Sequence, residues 1–199
     1  QLDLNLATTT QVGEAGLDRA DFDALAGKAQ EAHAAIQQGR ASGRIAFMDL
    51  PADHAASRAA KELGAELSRY DNVLVLGIGG SSLGAKALFT SLCHPLHNLL
   101  PAAKRKSARL FFPDNADPST FSALLEVLDL QATAVVAITK SGGTAETWSQ
   151  LLILRERLGR FSPEAARHRI GAVTDPEKGA LRQVAQAEGW RTLPVPPPV

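Results

Sequence analysis

The sequence is expected to fold as an α/β protein, a doubly wound parallel sheet with helices on both faces, preceded by a helical lead-in. Three observations lead there. Val73-Leu74-Val75-Leu76 is an unbroken apolar run that ends in Gly77-Ile78-Gly79-Gly80-Ser81-Ser82 and opens a stretch with helical spacing, which is how a strand buried on both faces reads when a helix follows it. From Asn72 onward, short apolar runs alternate with amphipathic segments, the pattern of βαβ units. Residues 1–70 instead form an alanine-rich helical lead-in, which leaves 71–199 as the sheet domain.

In the lead-in, Phe22, Leu25, Ala29, Ala32 and Ile36 fall near one face of a helix over 18–38, and Gly39 to Gly43 is expected to break it. A second helix is predicted over 53–70, with Leu63 and Leu67 four apart, and Met48, Leu50 and Pro51 form the joint between the two. The first strand is predicted over 72–78 and its helix over 82–93, ended by Pro95. A basic link, Lys104-Arg105-Lys106, then leads to a second strand over 109–113. Asp117-Pro118 supplies an N-cap and a proline at the first helical position, and Phe121, Leu124, Leu125 and Leu128 give that helix its stripe. A third strand over 133–139, a helix over 144–158, a fourth strand over 169–174, a helix over 178–188 and a fifth strand over 190–195 complete the series. Right-handed crossovers between such units build a parallel sheet covered on both sides.

With 199 residues, 45% of them hydrophobic, the chain can bury a substantial core. Its 21 basic and 21 acidic residues cancel, so the expected partner is a small molecule, with neither a nucleic acid nor a membrane surface among the partners. The single cysteine, Cys93, allows no intramolecular disulfide and fits a reducing compartment. No apolar run approaches membrane-spanning length and the first residues lack the features of a signal peptide. A cytoplasmic location is the expectation, and a start at Gln1 is read as a processed or trimmed N-terminus.

Ligands of such sheets bind outside the carboxyl ends of the strands, and two loops there are chemically unusual. Gly79-Gly80-Ser81-Ser82 follows the first strand, and Thr139-Lys140-Ser141-Gly142-Gly143-Thr144 follows the third. Backbone N–H donors at helix starts, hydroxyl donors and one ammonium suit a phosphate monoester, which carries close to two negative charges. Both loops can reach one ligand if the two strands are neighbours. The rival motifs fail on spacing: a dinucleotide fingerprint from Gly77 would need glycine where Ser82 stands, and a P-loop from Gly79 would need lysine where Ala85 stands. No residue set suggests a metal site; His94 and His97 straddle Pro95 and are expected to cap a helix end. Trp148 is expected to be core, continuous with Leu151, Leu152 and Leu154.

Gly77-Ile78-Gly79-Gly80-Ser81-Ser82-Leu83-Gly84 together with Thr139-Lys140-Ser141-Gly142-Gly143-Thr144-Ala145-Glu146-Thr147 resembles the glucose-6-phosphate isomerase family, specifically its first sugar-isomerase (SIS) domain, a three-layer αβα sandwich. The likeness covers residues 45–199. It implies that Ser81, Lys140, Ser141 and Thr144 hold a sugar phosphate, with Gly80 against the ligand and with Ser82 and Thr139 in the same binding set. Thr139 stands where the family usually has serine, so the hydroxyl is kept. Glu146 matches a glutamate that supports the active-site network without moving the proton itself. The resemblance further implies aldose-ketose isomerisation by proton transfer through an enediolate, no metal or organic cofactor, and a homodimeric parent enzyme.

Thr192-Leu193-Pro194-Val195-Pro196-Pro197-Pro198-Val199 resembles the family segment that runs into a Gly-Gly-Arg motif bearing a charge-stabilising arginine. The family's base, its ring-opening histidine and a lysine belong to a second SIS domain. These 199 residues are therefore expected to supply the phosphate-binding half and to be inactive alone. The alternative is a non-catalytic SIS module that senses a sugar phosphate, for which the neutral lead-in offers no basic recognition helix.

Overall fold

The computed structural model describes residues 3–196; Pro197, Pro198 and Val199, on which part of the C-terminal resemblance rests, lie outside the described residues. Two compact units divide the chain, one ending at Asp49 and the other running from Leu50 onward. In the first, a short α1 (Thr9–Val12) precedes the long α2 (Arg19–Ala41). Asp18 caps α2 through a reciprocal box: its carboxylate accepts from Asp21 N–H at 2.8 Å and the Asp21 carboxylate accepts from Asp18 N–H at 3.0 Å. The helix ends at Ala41, within the expected break over 39–43, and Gly39 itself is still helical. It is buried, and an added Cβ would stand 2.7 Å from Ile45 Cδ1, so here glycine lets the following turn close against the helix; the reversal itself is at Gly43, with φ of 75°. The joint around Met48 and Pro51 is a 3-10 turn over Ala46–Ala52.

The second unit follows the expected order and adds two short helices, one of which takes in part of the expected basic link. It comprises α3 (His54–Leu67), β1 (Asn72–Leu76), α4 (Gly80–Leu92), the short α5 (Ala102–Arg105), β2 (Arg109–Phe111), α6 (Pro118–Val127), β3 (Thr133–Thr139), α7 (Ala145–Gly159), α8 (Pro163–Arg169), β4 (Ile170–Thr174), α9 (Ala180–Glu188) and β5 (Arg191–Pro194). All five strands are parallel, in the order β2-β1-β3-β4-β5. Alternation along each strand divides the core into two layers. On one face Leu74, Leu76, Val135, Ala137, Ile170 and Ala172 pack against α6, α7 and α9. On the other, Val73, Val75 and Ala134 pack against Leu63 and Leu67 of α3, which brings that helix into the sheet's own unit. Phe89 of α4 lies with its ring centroid 5.7 Å from that of Phe112, a residue of the second layer. The β1-to-β2 connection runs opposite in direction to the others, so a right-handed crossover puts its helix on the opposite face.

Buried polar groups lock the register. Asn72, fully buried, starts β1 opposite both Arg109 and Thr133; its side-chain amide donates to Thr133 Oγ1 at 3.1 Å and its carbonyl accepts from Arg109 Nε at 2.7 Å. One residue thereby ties the starts of three strands. Asp117 caps α6 as the sequence suggests, and the Thr120 hydroxyl, followed by the backbone N–H groups of Thr120 and Ser119, holds its carboxyl below the usual aspartate value of 3.8. His97 corrects an expectation. It is buried, with Nε2 3.1 Å from Ala108 O and its ring edge-on to Phe89, so it ties the end of α4's connection to β2 and caps no helix.

Candidate functional site

β1 and β3 are hydrogen-bonded neighbours, paired from Asn72↔Thr133 to Leu76↔Ala137, so the condition for the two unusual loops to share a ligand is met. They also flank the position where the strand order reverses direction: β1 connects outward to β2 and β3 outward to β4. A crevice opens at that point of a doubly wound sheet, because the two connections leave to opposite faces. The first turns of α4 and α7, at Gly80 and Ala145, follow these two neighbouring strands, and each presents the positive end of a helix dipole.

The first loop is a tight backbone turn. Gly79 has φ of 54° and ψ of −123°, a conformation that disfavours a side chain, and it precedes α4 without any side-chain cap. Ser81 N–H donates to Ile78 O at 3.1 Å and Ser82 N–H to Gly79 O at 3.0 Å. Gly80 is exposed and Ser81 half-buried. Ser82 is 0% exposed, and its Oγ has no hydrogen-bond partner within the protein, so this hydroxyl lies beneath the loop.

The second loop divides in the same way. Lys140, Ser141 and Gly143 are exposed and Thr144 is half-buried, whereas Thr139 is 1% exposed. Thr139 Oγ1 stands 2.9 Å from Thr144 Oγ1, so the buried hydroxyl orients the outer one. Gly143 N–H donates to Ser141 Oγ at 3.4 Å. Glu146 is exposed in the first turn of α7, where a carboxylate is favoured by the helix dipole. Lys86 of α4 does not add a free charge: its ammonium pairs with Asp114 at 2.9 Å.

Two residues shape this loop through contacts that the sequence does not reveal. Trp148 is half-buried against the core as expected, but its indole N–H also donates to Gly142 O at 2.8 Å. Gly179, expected inside the helix over 178–188, instead precedes α9 with φ of 95°; a Cβ there would stand 2.6 Å from Ser141 O. The available signal is a glycine in what looks like a first helical turn, where it is unfavourable unless the backbone needs it. The turn before it is fixed by Asp175, which accepts from the N–H groups of Glu177 and Lys178 at 2.9 and 3.0 Å; these bonds hold its carboxyl below the usual 3.8.

Elsewhere, an apolar cavity of about 720 Å³ lies between α3 and the β4–β5 edge, lined by Ala56, Ala59, Ala60, Val173 and Leu193. Its lining residues include Asp53, whose carboxylate accepts from the Ala55 and Ala56 N–H groups. Among the described residues no group of three or more His, Cys, Asp or Glu side chains could hold a metal ion, and no helix is long and apolar enough to cross a membrane.

No sequence-family profile matches the chain. It is similar to the glucose-6-phosphate isomerase of Rubrobacter xylanophilus, with 44% identity over 160 residues covering 77% of this chain and 36% of the relative. The glucose-6-phosphate isomerase of Carboxydothermus hydrogenoformans is 33% identical over 201 residues, covering 100% of this chain and 43% of the relative. The chain thus spans about two fifths of the length of these relatives. Among solved structures, a hypothetical protein from Thermus thermophilus superposes with a TM-score of 0.74 at 28% identity, over 88% of this chain and 40% of that one.

Proposed function

This chain belongs to the glucose-6-phosphate isomerase family, and from that premise we propose that it is the sugar-phosphate-binding half of an aldose-ketose isomerase. The observation that carries the proposal is the adjacency of β1 and β3, which are followed by two helix starts and two hydroxyl-bearing loops. The reaction proposed for the whole protein interconverts glucose 6-phosphate and fructose 6-phosphate by proton transfer through an enediolate. The phosphate is remote from the reacting carbons. Its binding energy positions them and lowers the barrier without taking part in the chemistry.

Within the chain, Gly80 and Ser81 offer the phosphate backbone and hydroxyl donors from the first loop, and Lys140, Ser141 and Thr144 offer an ammonium and two hydroxyls from the second. Ser82 and Thr139 belong to the same set as buried supports, Thr139 acting through Thr144. Glu146 sits behind the loop at the start of α7 and takes no proton from the sugar. The phosphate needs no metal in this arrangement, since the charge is met by one ammonium and aligned N–H dipoles. We further propose that these 199 residues bind without turnover, that the parent enzyme is a homodimer and that it works in the cytoplasm.

Calorimetric titration of the 199-residue chain tests this reading. Fructose 6-phosphate is expected to bind with one site per chain, while NAD and ATP show no heat beyond dilution. Binding of NAD in the absence of sugar-phosphate binding would instead favour a nucleotide-dependent doubly wound protein.

A further inference from the structure

We infer that Trp148 is a positioning residue for phosphate binding: its indole N–H fixes the direction of the Gly142–Gly143 peptide so that the Gly143 N–H faces the ligand. The inference rests on the proposed sugar-phosphate reading for its functional meaning, and on hydrogen bonds within the loop for its geometry.

The Gly142 carbonyl oxygen accepts two hydrogen bonds, from Trp148 Nε1 at 2.8 Å and from Leu181 N–H at 3.1 Å. Both donors belong to helices beneath the loop, Trp148 to the first turn of α7 and Leu181 to that of α9. In a trans peptide the C=O and the following N–H point in opposite directions. Holding the Gly142 carbonyl toward the protein therefore turns the Gly143 N–H outward, and that N–H is indeed directed at the exposed Ser141 hydroxyl. Without the pin, the peptide joins two glycines, the residue type least able to resist rotation about its own φ and ψ. A flip would replace an N–H donor by a carbonyl acceptor at the place where a dianion is to bind, and the carbonyl dipole would repel it.

The neighbouring backbone narrows the choice further but leaves the flip open. Gly142 has φ of 74° and lies so close to Gly179 that a Cβ would stand 3.1 Å from its Cα, which fixes where the peptide sits. The direction of the peptide is set by the two donors on its carbonyl together with the long 3.4 Å bond from the Gly143 N–H to the exposed Ser141 Oγ. Of these, the Leu181 N–H comes with any α9 helix, whereas the indole N–H depends on one side chain. Trp148 also packs against the core layer that contains Leu151 and Leu154, so its ring serves stability and its nitrogen serves the loop. The two roles are separable by substitution.

Trp148→Phe keeps an aromatic ring and removes the donor. The affinity of the 199-residue chain for fructose 6-phosphate is expected to fall about tenfold, the size of one lost hydrogen bond to a charged group. In the ligand-free protein the Gly143 amide resonance is expected to shift and broaden as the peptide samples both directions. A purely structural role would lower the melting temperature and leave both readouts unchanged, and that result overturns the inference. If the smaller ring loosens the core, benzothienylalanine at position 148 keeps the bicyclic shape without the N–H and gives the same two readings. Should the unsubstituted chain fail to bind fructose 6-phosphate, the sugar-phosphate reading fails, and the Gly143 resonance still decides whether Trp148 sets the peptide's direction.

Discussion

Replacing Gly179 by alanine is expected to destabilise the chain by about 2–6 kcal/mol and to displace the 139–144 loop. Gly179 combines φ of 95° with ψ of 155°, a region that costs a residue with a side chain about 1–3 kcal/mol. Its added methyl would also stand 2.6 Å from Ser141 O, a contact that backbone must yield to relieve, at about 1–3 kcal/mol for overpacking. Urea unfolding measures the loss, and amide shifts of Ser141 and Gly142 report the displacement. Gly143→Ala is the matching control, because nothing lies within 4 Å of a Cβ there. Its stability is expected to change by less than about 1 kcal/mol. Equal losses for the two substitutions would show that the contact between the β3 and β4 loops does not hold the site in shape.

Lys140→Ala is expected to weaken fructose 6-phosphate binding about 10- to 100-fold, the range for a hydrogen bond between charged groups. Lys140 is exposed on the second loop, and the protein's formal charge is zero, so no general positive field compensates for its removal. Lys86→Ala is the informative comparison. That ammonium is paired with Asp114, and its loss should leave the affinity within about threefold, since a partly exposed pair contributes little beyond itself. A Lys140→Ala chain that binds as tightly as the original would remove the second loop from the phosphate site.

The sheet is legible in the sequence because β1, β3 and β4 are largely apolar runs ended by glycine or a charged residue. All five strands and their helices stand where alternation and periodicity put them, with β3 at Thr133–Thr139 as expected and most other boundaries shifted by one or two residues. The misplaced glycine has a tertiary cause. Apolar periodicity carries the predicted helix over 178–188 across Gly179, whereas tertiary contact places that glycine outside it, with Ser141 O where a Cβ would stand. The two loops are legible as glycine- and hydroxyl-rich turns, but their placement on neighbouring strands depends on strand order, which the residues imply only through the crossover rules. Hidden altogether is the division within each loop between outward and buried hydroxyls. Ser81 and Ser82 are adjacent and alike in type, yet only the helix's rotation against the sheet leaves the first accessible and buries the second. The apolar neighbours of Trp148 identify it as core, while the bond of its nitrogen to a loop six residues back requires coordinates.

Whether two separate loops bind one phosphate can be read from the backbone amides of the 15N-labelled 199-residue chain during a titration with fructose 6-phosphate. Gly80 and Ser81 are expected to shift together with Lys140, Ser141 and Gly143, along one saturation curve. Shifts confined to one loop, or centred on the apolar cavity beside Ala56 and Leu193, would mean that the two loops do not share the ligand.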